Sequence, residues 1–285
     1  MTMRFPSLIC LLLLALSPAA ACAANAAART VDAEKVYTFG VVPQFEQRKL
    51  LRIWRPILNE LEQRTGLKFR LVGTPKIPVF EQQFLAGEFD FAYMNPYHVI
   101  SAHDTQGYLP LVRDGGRILK GVIVVPKDSL ITSPAQLANT EMAFPSPNAL
   151  GASLLIRADL HRQFGVSVTP RYVQTHSSVY LHVANKLVTG GGGVRSTLQS
   201  QAPSIRKSLR IIYETSGIPP HPITAHPRVP AAHRALVQRA LLDLATSDEG
   251  KTLLAGIPIL EAVSSTIKDY RVVNSLGLED FYITD

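Results

Sequence analysis

Three short turns carry the residue types best suited to holding a small anion. They are Tyr93-Met94-Asn95-Pro96, Ser146-Pro147-Asn148-Ala149-Leu150-Gly151 and Thr175-His176-Ser177-Ser178. Each hands a β-rich run over to a run with helical spacing. The start of a helix presents free N–H groups and a partial positive charge, which suits an anion. Tyr93, Asn95, Ser146, Asn148, Ser177 and Ser178 can add hydroxyl or amide hydrogen bonds, while Ala149, Leu150 and Gly151 offer backbone alone. His176 sits in a capping turn, where its ring can donate to an anion. One such turn by itself reads as an ordinary helix cap; three in one chain read as a binding cleft.

Gly190-Gly191-Gly192-Gly193 lets backbone approach another group closely. No Gly-Lys-Ser/Thr follows, so this is not a phosphate-binding P-loop. Arg195 comes two residues later at a helix start and can pair bidentately with an oxyanion; a surface arginine beside a flexible turn is the other reading. The histidines number eight. Neither His98 with His103 nor His176 with His182 has the i, i+4 spacing of a helical zinc site, so no metal and no cofactor is expected. There is no G-x-S-x-G elbow and no evident Asp/Glu pair in a cleft turn. Ser177 and Ser178 adjoin His176, but sequence neighbours rarely have the geometry of a nucleophile and its base. The pattern excludes the common enzyme classes.

The elements that must position these turns alternate between β and α. Lys35 to Val42 reads as a first strand. Leu50 to Thr65 has helical spacing at Leu51, Trp54, Ile57, Leu58 and Leu61, and Gly66 stops it. Strands follow at 67–72, 90–93, 108–112, 119–125, 141–144, 170–174 and 209–214. Helices are expected from Val79 to Ala86, after Asn95, from Ala152 to Phe164, from Val179 to Lys186, from Pro230 to Ala245 and from Asp248 to Ala255. Such alternation predicts parallel or mixed sheets covered by helices. Two Pro-marked stretches, Pro126 to Ser133 and Ser216 to Pro222, read as crossings between two lobes. Residues 36–124 plus 224–285 then form one discontinuous lobe and 125–223 an inserted second lobe, with a hinged cleft between them.

The N-terminus reads as a secretory signal over residues 1–23: Arg4, an apolar run from Leu8 to Leu16, the break at Ser17-Pro18, then a small-residue tract. Ala21-Cys22-Ala23 fits ordinary cleavage; Ala20-Ala21-Cys22 also fits a lipoprotein site with Cys22 acylated. Cys10 and Cys22 are the only cysteines, so the exported chain has no disulfide and no cysteine nucleophile. The net charge is +7 in 285 residues, which favours anionic ligands. The basic residues are scattered rather than run together, which argues against nucleic acid.

Several segments carry a family resemblance: DFAYMNPYHVI (90–100), LVRDGGRILKGVIVV (111–125), AFPSPNALGASLLIRADL (143–160), RYVQTHSSVYLHVA (171–184), GGGGVRSTL (190–198) and YETSGIPPHPITAHPRVP (213–230). Together they resemble the phosphate/phosphite/phosphonate solute-binding proteins of ABC transporters. The resemblance implies a two-lobed α/β, type II periplasmic-binding fold closing on ligand, a periplasmic location and an inner-membrane permease as partner; a monomer is expected because a hinged cleft needs both lobes free to move. A sensory co-receptor acting on the periplasmic domain of a sensor kinase, with another small anion as ligand, is the alternative. In phosphonate-binding members a Ser-Thr-Ser-Gly helix start holds the phosphonate, helped by a histidine and a tyrosine. The histidine carries over to His176. The helix start falls at Ala149-Leu150-Gly151, without its hydroxyls. The tyrosine falls near Ile77, and the acidic residues that hold an aminoalkyl group fall near the Gly190 tract and His221, where there is no carboxylate. A small oxyanion such as phosphite, methylphosphonate or phosphate fits this set; another small anion is equally allowed.

Overall fold

The computed structural model describes residues 35–283. The expected signal segment, with Arg4 and Cys22, lies outside them. From Val36 onward the described residues form one compact unit built on two mixed sheets. The first contains β1 (Val36–Val41), β2 (Lys68–Val72), β3 (Phe91–Tyr93), β4 (Leu109–Asp114), β10 (Ile223–Ala225) and β11 (Ala262–Ser264), in the order β11-β4-β10-β3-β1-β2. The second contains β5 (Gly121–Pro126), β6 (Glu141–Phe144), β7 (Thr169–Tyr172), β8 (Gly190–Val194) and β9 (Leu209–Glu214), in the order β7-β6-β8-β5-β9. In each sheet three neighbouring strands run parallel: β2, β1 and β3 in the first, and β7, β6 and β8 in the second.

The helices follow from the apolar spacing and the caps. Helix α1 (Gln47–Thr65) turns Leu50, Trp54, Ile57, Leu58 and Leu61 inward and ends at Gly66 in the left-handed conformation, φ 72°. Leu50 takes the inward place expected for Leu51, which is 54% exposed. Trp54 meets Phe39 and Tyr93, each at 5.1 Å between ring centroids, and Phe91 packs edge-on to Tyr37 at 5.5 Å. Full burial of each such ring stabilises the fold by about 1.5–3 kcal/mol. Helix α2 (Ile77–Leu85) and α3 (Pro96–Gln106) follow β2 and β3. Beside the second sheet lie α4 (Leu155–Phe164), α5 (His176–Ala184), α6 (Arg195–Gln199) and α7 (Pro203–Lys207). Helices α8 (Ala231–Leu244) and α9 (Asp248–Ala255) come after the chain has returned to the first sheet.

Two details correct the sequence reading. Strand β5 hydrogen-bonds to β8 and β9, so the chain passes from the first sheet to the second within residues 115–120. Pro126 to Ser133 follows that crossing and lies wholly beyond it. The return runs through residues 215–222, and the two crossing segments pair: Leu119 N–H donates to Ile218 O at 2.8 Å and Ile218 N–H to Leu119 O at 3.0 Å. The glycine tract is also no turn. It is β8, a buried strand between β6 and β5.

Tertiary packing outweighs the poor strand propensity of four glycines. A Cβ on Gly192 would stand 2.1 Å from the Ala152 carbonyl oxygen and 2.6 Å from the Phe144 ring. One on Gly193 would meet the Tyr180 hydroxyl at 2.1 Å, and one on Gly191 would meet Val179 at 2.6 Å. Neighbouring elements thus rest directly on the strand's backbone, and this packing is the close approach that the glycines serve. Gly192→Ala should therefore destabilise the protein by about 2–3 kcal/mol or more through overpacking. Gly66→Ala, where φ is positive but the space is open, should cost about 1 kcal/mol. Urea midpoints of the two variants check the ranking; equal losses would show that Gly192 carries no close contact.

Candidate functional site

A small pocket with buried walls lies where the parallel strands of both sheets end. Its walls come from the turns after β1 (Val42, Gln44), β2 (Ile77) and β3 (Asn95), from the segment after β6 (Ala149 to Ala152), and from the start of α5 (His176). The end of β8 (Val194) and the return crossing (His221) complete it. Carboxyl ends of parallel strands are where α/β folds place ligands, because the helices that follow point their free N–H groups there. The pocket leaves about 10 Å³ for the centre of a water-sized group, roughly what one small centre needs.

The segment after β6 opens as a wide π-helical turn, Leu150–Leu154, and runs on into α4. Ala149 supplies no side-chain cap. The amides of Leu150, Gly151 and Ala152 stand in the first turn, where no intrahelical acceptor exists, and all three residues line the pocket. The turn is seated by two close contacts. A Cβ on Gly121 would stand 2.1 Å from the Gly151 carbonyl oxygen, as one on Gly192 would from that of Ala152.

His176 is buried, with 3% of its surface exposed. Its backbone N–H donates to Gln44 O at 3.1 Å and so ties the start of α5 to the turn after β1. Its Nδ1 lies 3.2 Å from Thr197 Oγ1. The Tyr180 hydroxyl donates to Val194 O at 2.9 Å. The Thr197 hydroxyl also reaches Val194 O, at 3.0 Å; where Tyr180 holds that carbonyl, Thr197 turns its proton to His176 Nδ1 and the ring proton sits on Nε2, a donor for a ligand. Burial pushes the His176 pKa down to about 4. His221 goes down to about 3, through burial first and then the neighbouring His98 and His176. Its ring stacks on Tyr93 at 5.3 Å, and its Nε2 lies 3.4 Å from Gln44 Nε2. Both histidines are thus neutral donor–acceptors at neutral pH. Among the described residues no charged side chain lines the pocket. Ile77 puts an apolar wall where the resemblance would place a tyrosine.

Of the eleven residues expected at the site, five line this pocket: Asn95, Ala149, Leu150, Gly151 and His176. The Asn95 side chain is already committed. It accepts from His98 N–H at 2.9 Å, and its amide lies 3.0 Å from His98 Nε2. Tyr93 lies in the wall of an adjoining chamber, and its hydroxyl donates to Ile257 O. Asn148 is turned away, with both ends of its amide holding the backbone of Ile283. Ser146 is buried outside the lining, and its hydroxyl has no hydrogen-bond partner among the described residues. Ser177 and Ser178 sit partly exposed in the first turn of α5, and Ser178 Oγ pairs with Thr175 Oγ1 at 2.9 Å. Arg195 points elsewhere: it pairs with Glu214 beside an outer cavity. The walls not anticipated are Val42, Gln44, Ala152 and Val194, with Ile77 and His221 noted only for residues they lack. The turn after β1 obeys the same strand-to-helix rule as the three turns chosen. Its Pro-Gln-Phe sequence simply lacks the small hydroxyls that drew attention to the others.

A family model described as ABC transporter, phosphonate, periplasmic substrate-binding protein matches residues 39–270. Among curated proteins, the phosphonates-binding periplasmic protein of Escherichia coli (strain K12) is 26% identical over 210 residues, 69% of this chain. The match spans 62% of that relative's length. Among solved structures, a binding-protein component of an ABC phosphonate transporter from Pseudomonas aeruginosa superposes with a TM-score of 0.74 at 19% identity, covering 85% of each chain. A Prochlorococcus marinus protein in complex with methylphosphonate superposes with a TM-score of 0.77 at 16% identity, covering 85% of this chain and 97% of its own. At these identities the two structures show a shared two-lobed fold.

Neutral buried histidines make stability depend on pH. The unfolded chain protonates its histidines near pH 6.5, whereas native His176 resists protonation down to about pH 4. The His176 contribution is therefore complete above pH 6.5 and is lost as pH falls from there toward 4. Between pH 6.5 and 4.5 the loss should reach about 2–3 kcal/mol for this one group. Urea midpoints across that window should fall steeply in the native chain and less steeply in His176→Asn. Identical slopes would mean that the ring is not held neutral.

Proposed function

The chain belongs to the family of periplasmic substrate-binding proteins of phosphonate ABC transporters, and from that membership we propose that it captures a small phosphorus oxyanion in the periplasm. It delivers the ligand to an inner-membrane permease and does not transform it. The observation that carries this reading is the pocket itself: a small space with buried walls at the strand ends, lined by helix-start residues and neutral histidines. An oxyanion there is held by preorganised dipoles and N–H donors rather than by a countercharge. Leu150, Gly151 and Ala152 donate through their amides, and His176 and Gln44 add side-chain donors. No nucleophile with an adjoining base and no carboxylate lines the pocket, which supports capture rather than turnover. Hydroxyls at the helix start are replaced by Ala149 and Leu150, so backbone donors carry the recognition. The signal segment and the permease partner go with the family, and a monomer leaves both lobes free to close.

Thermal shift and calorimetric titration against phosphate, phosphite, methylphosphonate and sulfate test the proposal. A ligand at 100 times its Kd should add about 2.7 kcal/mol of stability and raise Tm by a few degrees. Phosphorus NMR of the incubated ligand should show it unchanged. His176→Ala should weaken binding by about 1–3 kcal/mol, since an anion would lose a donor in a dry site. Absence of any shift with all the phosphorus oxyanions would overturn the proposal.

A further inference from the structure

Beside the anion pocket lies a second chamber that shares two of its walls, Gln44 and His221. It offers about 40 Å³ to the centres of water-sized groups, space for roughly three non-hydrogen atoms. Tyr93, Leu119 and Pro258 give it apolar sides, and Ser196 adds a hydroxyl. Among the described residues its one charged member is Arg117, and no carboxylate lines it.

Arg117 also lines two outer cavities, one with Lys49 and one with Lys120 and Arg195, so it stands between the chamber and the open mouth. The other cations there are compensated: Arg195 pairs with Glu214, and Lys120 lies 3.6 Å from the same carboxylate. Lys49 lies over the Phe45 ring, 3.8 Å from its centroid. Among the described residues Arg117 has no acidic partner in the salt bridges of the molecule. An ammonium group in this chamber would meet a cation and no counterion. A carboxylate would meet a guanidinium whose planar fork matches it.

Resting on the proposed capture of a phosphorus oxyanion, we infer that this chamber receives the organic arm of the ligand and that Arg117 selects an arm ending in an anion. The ligand class is a phosphonate with a short carboxylate arm. Such a molecule places its phosphonate on the amides of 150–152 and its carboxylate beside Arg117.

Calorimetric titrations with methylphosphonate, phosphonoacetate and 2-aminoethylphosphonate test this on the native protein and on Arg117→Gln. Arg117 is exposed, so the substitution can be made without opening the core. Phosphonoacetate should bind the native protein about two- to fivefold more tightly than methylphosphonate, the gain expected of one exposed ion pair. The aminoethyl compound should bind more weakly than methylphosphonate. In Arg117→Gln the ratio between phosphonoacetate and methylphosphonate should fall toward one. Binding of methylphosphonate with no preference for the carboxylate, or a preference that survives in the variant, overturns the chamber assignment while leaving phosphorus-oxyanion capture intact. Failure of all three compounds to bind overturns capture, and the chamber assignment with it.

Discussion

Two carbonyl oxygens, those of Gly151 and Ala152, lie where a Cβ on Gly121 or Gly192 would have to stand. That contact positions the rest of the site. With no side chains between them, the turn after β6 settles directly onto β5 and β8, and its first amides face the pocket instead of solvent. Any larger residue on either strand would lift the turn and withdraw those donors. The four glycines of β8 are therefore a packing surface. Tyr180, seated against Gly193, extends the same support through Thr197 to the ring of His176.

Electrostatics separates the site into an inner and an outer part. The inner pocket holds no charged side chain, and burial keeps both of its histidines neutral. An anion captured there, as proposed, would give up hydration for donors whose orientation the fold has already set, so little reorganisation would remain at binding. The basic residues, Lys49, Arg117, Lys120 and Arg195, stand at the cavities farther out. Glu214 offsets part of that charge, and the net positive remainder, Arg117 foremost, would draw anions toward the pocket with a strength that falls as salt rises.

The strand-to-helix handovers were legible because their chemistry is local. Asn95 caps α3 and Thr175 caps α5, each by accepting from an amide three residues on. The strand Leu209–Glu214 and the helix Asp248–Ala255 fall at the limits that their alternation and spacing imply. Other features depend on partners distant in sequence. The π-helical turn has no residue type that marks it, and glycine alone cannot announce that a helix start will rest upon it. Strand β11 is three residues long and exists because Val263 finds Arg113 of β4. Asn148 looked like a ligand-binding amide, yet its partner Ile283 lies 135 residues away. His221 sits in a Pro-rich return segment without periodicity, and only the crossing geometry brings it to the pocket.

That distant partner of Asn148 also bears on how the two sheets can move. The chain's last described segment is fastened to the second sheet's side of the molecule at three points. Asn148 brackets the backbone of Ile283, Arg157 donates to Phe281 O at 2.7 Å, and Arg162 donates to Leu276 O at 2.7 Å. The same segment reaches α3 on the first sheet's side, where Tyr282 stacks on Tyr97 at 5.2 Å. Asn148 itself lies 3.3 Å from Glu81 of α2, and His176 N–H holds Gln44 O. Motion that separates the sheets about the Leu119–Ile218 pair must break these cross-links or carry the tail along with one side. The bond from His176 to Gln44 is the one such link made by pocket-lining residues on both sides. The contact that brings the turn after β1 against α5 thus also puts Gln44 and His176 together in the wall of the same small space, so a motion that broke it would take the pocket's donors apart.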